Sequence, residues 1–369
     1  MMFDNAITRF EKHTIMIMAG GTGGHVYPAM AVADYLKSHG WQVVWLATEG
    51  GMENRLIEGK GYAKAMMTMQ GVRGKGIKGW LLLPSKLFTA FKQARHAIRL
   101  HQPDVVLGMG GFAAFPGGAM AKLMGKSLVI HEQNSVAGLT NKVLSLLADH
   151  VLVAFPNVFE DKAVLVGNPV REDITKANAP EQRYSTRTGN LRVLVVGGSL
   201  GAAALNDVLP KAFAQLSLQQ RPIVIHQAGE KHIDTLIKNY ADVGVEAETK
   251  AYIEDMAEAY SWADLVICRA GALTVAELAC VGVASVLVPF PFAVDDHQTT
   301  NAQYLAESGA AMMVSQNEFN VNYAAEVLRQ LTRDVCRIMA VNARKLATPE
   351  ATVTVAKICM ECVPTGVSQ

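Results

Sequence analysis

Residues 268–302, CRAGALTVAELACVGVASVLVPFPFAVDDHQTTNA, carry the groups around which the chemistry of this chain is organised. Ala270, Gly271 and Ala272 follow a short apolar run and lead into a helix predicted to begin near Leu273. A helix start holds unpaired N–H donors and the positive end of the helix dipole, so it can seat a phosphate. Glu277, in the second turn, is placed to reach the hydroxyls of a ribose attached to that phosphate, and a carboxylate can accept from both. Two prolines and then Asp295, Asp296, His297 and Gln298 make a loop able to close over the far side. Phosphate, ribose and sugar would fit this order of groups. The same residues also fit a βαβ unit with a polar loop and no ligand.

Such groups need strands that deliver turns to one edge of a sheet. Residues 14–19 form an apolar strand candidate, followed by the glycine turn 20–24 and a helix expected over about 28–38. Pro28 suits a first helical turn and Gly40 a stop. Further strands are expected at 42–47, 104–109 and 127–130, and their alternation with helices implies a parallel sheet with ligand loops at its carboxyl edge. Gly21, Gly23 and Val26 miss the third glycine of the dinucleotide fingerprint, as does the turn at Gly197 and Gly198, which weakens a nicotinamide reading. Gly167 and Pro169 interrupt the pattern at 166–173, and 184–190 reads as a polar stretch. The pattern then restarts with a strand at 192–196, a glycine turn at 197–201 and a helix from Ala202. One fold used twice, with a cleft between the halves, accounts for this restart. Residues 348–362 read as a final helix.

With 369 residues the chain exceeds one ordinary core, so two domains are expected. Half the residues are hydrophobic and the formal net charge is +1, which describes a globular α/β protein with no global pull toward nucleic acid. Five cysteines without a framework of spacings point to a reducing compartment, and Cys359 and Cys362 form a lone C-x-x-C with no second ligand pair. The first thirteen residues lack the apolar region of a signal peptide, and no run reaches the ~20 apolar residues of a membrane span. Residues 73–99 set Ile77, Trp80, Leu81 and Phe88 among Lys75, Lys78 and Lys92 with no acidic residue. A basic rim around apolar groups suits an interfacial docking face, at ~1 kcal/mol per cation near anionic lipid. It also suits a core helix with a solvated basic face.

GGTGGH at 20–25, GGF at 110–112, HEQN at 131–134, GNPVR at 167–171 and GGSLGA at 197–202 come in one order across nearly the whole chain. Together with the stretch above, they closely resemble the MurG family of bacterial N-acetylglucosaminyltransferases, which convert lipid I to lipid II in peptidoglycan synthesis. The resemblance implies an α/β protein of two Rossmann-like domains facing a cleft, the glycosyltransferase B fold. Residues 1–170, joined by a C-terminal helix at 349–369, would bind acceptor and membrane; residues 171–348 would bind UDP-GlcNAc. Donor contacts carried by the resemblance are Thr22, Gly23, Gly24 and Asn134 near the transferred sugar, with Arg171, Ser199 and Ile253 elsewhere in the donor site. Ala272, Leu273, Thr274, Val275, Ala276 and Glu277 would meet diphosphate and ribose, and Gln298 would complete the sugar side. Gly110, Gly111 and Phe112 join His25 on the acceptor. The implied partners are UDP-GlcNAc, lipid I with its undecaprenyl diphosphate, and anionic lipid at the cytoplasmic face of the bacterial inner membrane. Neither nucleic acid nor a cofactor is implied.

The implied reaction is one inverting displacement of UDP by the C4 hydroxyl of MurNAc, giving a β(1-4) disaccharide. It needs a base for the hydroxyl and stabilisation of the leaving diphosphate, but no covalent nucleophile. No D-x-D metal clamp occurs in the chain, so the helix start near Leu273, the Ser199 turn and Arg171 are expected to carry that charge without a metal. His25 is the base candidate, because an imidazole ordinarily titrates near ~6.5; Glu132 is the second. His25 could equally position acceptor diphosphate or cap its helix. Leu200 stands where many relatives have glutamine and Phe112 where many have tyrosine, so each lacks a polar group that those relatives carry. Transfer to a diacylglycerol, epimerisation of UDP-GlcNAc and a non-catalytic nucleotide-sugar-binding scaffold are the competing functions. HEQN, GGTGGH and the basic apolar stretch favour a lipid-linked acceptor, and His25, Glu277 and Gln298 favour catalysis over a scaffold.

Overall fold

The computed structural model describes residues 13–69, 83–159, 162–198 and 201–363. The chain divides into two compact units: Met1–Gln133, Ala137–Pro169 and Thr352–Gln369 form one, and Asn134–Val136 with Val170–Ala351 the other.

The first unit holds a seven-stranded sheet of β1 (Thr14–Met18), β2 (Gln42–Thr48), β3 (Ala63–Met67), β4 (Val105–Gly108), β5 (Ser127–Glu132), β6 (His150–Val153) and β7 (Val164–Leu165). Its order is β3-β2-β1-β4-β5-β6-β7, with parallel pairing throughout. Side chains alternate across it as a pleat requires. Ile15, Ile17, Val43, Trp45 and Leu107 face one cluster with the helix Gly23–Ser38. Met16, Met18, Val44, Leu46 and Val106 face another with the helices Leu83–His101 and Ala114–Leu123. Val355, Ala356 and Cys359 of the helix Ala351–Glu361 belong to the first cluster, which ties the end of the chain to the first unit.

Two local expectations need correction. The first helix begins at Gly23, with Pro28 inside it, because His25 and Val26 N–H bond back to Thr22 O at 3.1 and 3.2 Å. These bonds nucleate the turn and outweigh the one ladder bond that Pro28 cannot make. The strand expected to end at 130 continues to Glu132, so His131 and Glu132 are buried strand residues.

The second unit repeats the plan. Its six-stranded sheet contains β8 (Arg192–Val196), β9 (Ile223–Gln227), β10 (Glu248–Lys250), β11 (Leu265–Cys268), β12 (Ala284–Leu287) and β13 (Ala311–Met313), ordered β10-β9-β8-β11-β12-β13 and again parallel. A shared side-chain device marks the repetition. Asp104, just before β4, donates its N–H to Thr14 O and accepts the Thr14 N–H on Oδ2 at 2.7 Å. Asp264, just before β11, does the same with Arg192, accepting at 2.9 Å. Each carboxylate closes the start of the central strand pair, where a neighbouring N–H would otherwise lack a partner.

Residues 184–190, expected to be a polar stretch, instead buttress this unit. Tyr184, in the last turn of the helix Pro180–Ser185, lies in the core, and its hydroxyl donates to Asp264 O at 2.5 Å. The Arg187 guanidinium lies 2.5 Å from the buried Asp264 carboxylate, and Arg183 donates to Val281 O and Gly282 O. Charge in this stretch is consumed by pairing and carbonyl bonds, which makes burial affordable.

Candidate active site

Both sheets reverse their strand order in the middle, between β1 and β4 and between β8 and β11. At such a switch point the two following loops diverge and leave room for ligand at the carboxyl edge.

In the first unit the loop after β1 is Gly20–Thr22 and the loop after β4 contains Gly110 and Gly111, both at positive φ. A Cβ on Gly111 would fall 2.4 Å from Gly20 O, and one on Gly110 would fall 2.9 Å from His25 Nδ1. Only glycine admits this approach of the two loops. His25 is half-buried in the first turn of its helix, and its Nδ1 lies 2.9 Å from Gln133 Oε1. Gln133 is buried; its Nε2 contacts His131 Nδ1 at 3.1 Å and His131 O at 3.2 Å. His131 Nε2 lies 2.9 Å from Gly167 O. Burial lowers the His131 imidazole to about 4, so it is neutral at physiological pH.

Gly23 and Gly24 open the helix beside an exposed Thr22, and Phe112 is exposed next to Gly111. Glu132 sits differently from a substrate-facing base. It is buried, and its Oε2 accepts from Gly138 N at 3.0 Å and Asn141 Nδ2 at 2.9 Å, so it holds the loop that follows β5. Glu53, unremarked in the sequence, lies buried beneath Gly20 and Gly51, with Oε1 accepting from Thr48 N and Oγ1.

In the second unit β11 runs into Gly271, the N-cap of the helix Ala272–Val281. Val275 N–H bonds Gly271 O at 2.9 Å, which leaves the earlier N–H groups of this turn outside the helix ladder. Leu273, Thr274 and Ala276 are partly exposed, whereas Ala272 and Val275 pack inward. Glu277 is buried below them. Its Oε2 accepts from Tyr260 Oη at 3.1 Å and its Oε1 lies 4.0 Å from Arg171 Nη2. Burial raises this carboxyl to about 7, against the opposing pull of Arg171 and the Tyr260 hydrogen bond.

Gln298 is the second residue of the helix His297–Ala306, and its Oε1 accepts from Phe290 N at 2.9 Å and Ala270 N at 3.3 Å. It therefore clips the loop after β12 to the exit of β11. Asn301, one turn later and fully buried, reaches Ala270 O at 3.2 Å and Asn134 Oδ1 at 3.4 Å, and accepts from Ser135 N at 2.9 Å. Asn301 was not anticipated, yet it brings Asn134 to the same sheet edge as Gln298 and Gly271. Ile253 is buried in the loop beyond β10. Ser199 and Leu200 lie outside the described residues, as do Lys75, Ile77, Lys78, Trp80 and Leu81.

Of the expected membrane-facing residues, Phe88 is 62% exposed on the helix Leu83–His101, with Lys92 Nζ 4.5 Å from its ring centroid. Its helix neighbours Ala114–Leu123, which in turn neighbours Leu139–Leu144. There the structure reveals apolar exposure that the sequence reading passed over: Leu139 is 69% and Leu146 74% exposed. Among the described residues, no helix is long and apolar enough to cross a membrane.

Residues 15–153 match the glycosyltransferase family 28 N-terminal domain, and residues 192–357 match the glycosyltransferase family 28 C-terminal domain. The chain is 54% identical over 354 residues to the UDP-N-acetylglucosamine--N-acetylmuramyl-(pentapeptide) pyrophosphoryl-undecaprenol N-acetylglucosamine transferase of Nitrosospira multiformis, covering 95% of this chain and 99% of the relative. The protein of the same name in Azoarcus is 56% identical over 348 residues, covering 94% and 98%. The crystal structure of Acinetobacter baumannii MurG superposes with a TM-score of 0.83 at 42% identity, covering 95% and 99%. A UDP-GlcNAc 2-epimerase from Neisseria meningitidis, at 10% identity and TM-score 0.65 over 94% and 100%, shares the fold alone.

Proposed function

This chain belongs to glycosyltransferase family 28, among its MurG N-acetylglucosaminyltransferases, and from that membership and the site geometry we infer its reaction. It transfers N-acetylglucosamine from UDP-GlcNAc to the C4 hydroxyl of MurNAc in undecaprenyl-diphospho-MurNAc-pentapeptide, with inversion, giving lipid II for peptidoglycan synthesis. Its fold is the glycosyltransferase B fold.

The observation that carries the donor reading is the free first turn of Ala272–Val281 with Glu277 beneath it and Arg171 beside it. N–H groups and dipole at that turn meet the diphosphate, and Arg171 adds a full charge on the side where the leaving oxygen gains electrons. Glu277 accepts from the ribose hydroxyls. Asn134 and Gln298, drawn to the same sheet edge, serve the sugar, and backbone at Ile253 serves the uracil. Thr22, Gly23 and Gly24 are assigned to the transferred sugar, and Gly110, Gly111 and Phe112 to the acceptor. Ser199 keeps its proposed place on the donor diphosphate.

His25 takes the proton of the acceptor hydroxyl as that oxygen bonds to the anomeric carbon and the bond to the diphosphate breaks. The electron pair leaves with UDP. What supports His25 over Glu132 is accessibility: the imidazole is half-buried at a glycine-lined turn, whereas the carboxylate is built into a loop.

The enzyme works on a lipid-linked acceptor at the cytoplasmic face of the inner membrane. Phe88 and Lys92 support docking to anionic lipid there, and Leu139 and Leu146 extend the apolar area available for it. Lys75, Ile77, Lys78, Trp80 and Leu81, which lie outside the described residues, keep their proposed membrane-facing role from the sequence.

Purified chain supplied with labelled UDP-GlcNAc and a lipid I analogue tests the reading. Product in the presence of EDTA, with poor use of UDP-GalNAc, is expected. Tight UDP-GlcNAc binding without transfer would instead describe a nucleotide-sugar-binding scaffold.

A further inference from the structure

Gln133 touches both histidines of the first unit's site, and partners with no choice of role determine which way its amide points. We propose that Gln133, oriented by His131, is a positioning residue that holds His25 as the Nδ1–H tautomer and so presents the Nε2 lone pair to the acceptor hydroxyl. This rests on the reading of His25 as the base.

Gly167 O can only accept, so the His131 Nε2 at 2.9 Å from it carries a proton. A neutral imidazole has one N–H, which makes His131 Nδ1 an acceptor. The Gln133 atom 3.1 Å from that nitrogen must then be the donating Nε2, and the same atom meets a second obligate acceptor, His131 O, at 3.2 Å. Two independent contacts therefore agree on the amide orientation. The remaining amide atom, Oε1, has no proton to give. It lies 2.9 Å from His25 Nδ1, so the hydrogen between them resides on His25.

Turning the amide over would set its oxygen against His131 O, which already accepts from Asn141 Nδ2 at 3.1 Å, and against the Nδ1 lone pair, which would lose its donor. Protonating His131 would remove the Nδ1 acceptor, and burial opposes that charge by lowering the group to about 4. Gly110 leaves no space for a Cβ beside His25 Nδ1, so the ring is packed on that side as well as hydrogen-bonded. Among the described residues, no hydrogen bond occupies His25 Nε2. During transfer the hydroxyl proton moves to Nε2, and the resulting imidazolium keeps its Nδ1–H bond to Gln133 Oε1. Second-sphere bonds of this kind set which nitrogen is basic without touching substrate.

Two-bond proton–nitrogen NMR on full-length, histidine-labelled protein reads the tautomer directly, with His25→Asn providing assignment. The expected spectrum shows His25 as Nδ1–H and His131 as Nε2–H. Gln133→Met, which removes both amide roles at similar length, should shift His25 toward Nε2–H and lower kcat by ~10–100-fold, with KM for UDP-GlcNAc within about twofold. Gln133→Glu keeps an acceptor toward Nδ1 and should retain the tautomer and more of the turnover. A wild-type His25 found as Nε2–H, or an unchanged tautomer in Gln133→Met, overturns the inference. A lost tautomer with normal kcat upholds the orienting role of Gln133 and overturns the base role of His25. Should Gln133→Met fail to fold, the wild-type and Gln133→Glu spectra still decide.

Discussion

At the scale of single residues, the site depends on groups whose chemistry is altered by what surrounds them. Replacing His25 with Ala should reduce turnover by ~10²-fold or more while UDP-GlcNAc affinity stays within a few-fold, as steady-state kinetics and calorimetry would show. A near-normal rate would remove it from proton transfer. Glu277 offers a test through pH. Its folded carboxyl binds a proton up to about 7, more tightly than the unfolded chain does near ~4.5. The associated stability is therefore complete below ~4.5 and is lost as the pH rises through about 7. Glu277→Gln carries no such charge, so it should raise Tm by roughly 3–6 °C at pH 8.5 and change it little at pH 4.5. The same variant should raise KM for UDP-GlcNAc by ~10-fold, since an amide accepts less strongly from ribose hydroxyls than a carboxylate. The types and spacing of His25, Glu277 and Gln298 were legible in sequence. Gln133, Asn301 and Glu53 were not, because each acquires its role from a partner far along the chain or from a backbone it lies beneath.

At the scale of elements, glycine turns after central strands do the positioning, and buried carboxylates secure the strands that present them. Asp104 and Asp264 occupy matching places, but their surroundings differ. Asp264 is fully buried and also pairs with Arg187 and Arg333, whereas the Asp104 side chain is about a third exposed beside His13. Removing one partner of a buried charge leaves the other uncompensated. Asp264→Ala should therefore destabilise the second unit by ~3–5 kcal/mol, while Asp104→Ala costs the first unit ~1 kcal/mol, the worth of an ordinary hydrogen bond. Hydrogen exchange in β8 and β11 against β1 and β4 would measure both. Equal effects would contradict this division. The central strands β1, β2, β4, β8 and β11 were readable as apolar runs leading into turns, and 348–362 as a final helix, whereas β3, β6, β7, β9, β10 and β13 were not read from the sequence. The extent of β5 was not readable, because His131 and Glu132 look polar in sequence; β6 pairs their backbone, and Gly167, Gly138 and Asn141 satisfy their buried side chains. Tyr184 and Arg187 likewise read only as part of a polar stretch, because their partners, Asp264 and nearby carbonyls, lie far along the chain.

At the scale of the whole molecule, a net charge of +1 gives little long-range attraction to a membrane, so the docking proposed above is assigned to a local face. Replacing Leu139 and Leu146 together with Glu removes apolar area and adds charge opposed to anionic lipid. Sedimentation with vesicles rich in anionic lipid should weaken by ~10-fold or more, with UDP-GlcNAc affinity as the control for folding. Unchanged sedimentation would place docking elsewhere on the chain. The sequence by itself determined that a strand–glycine turn–helix plan is used twice, since apolar periodicity and obligate glycines act over a few residues. It also determined the family, through motifs kept in order along nearly the whole chain. Only the tertiary structure decided which side chains are buried together: the Asp264 network, the Asn301 tie to Asn134, and the line from Gly167 through His131 and Gln133 to His25. Protonation and orientation in that line follow from burial and from partners distant in sequence, and no local pattern of residue types encodes them.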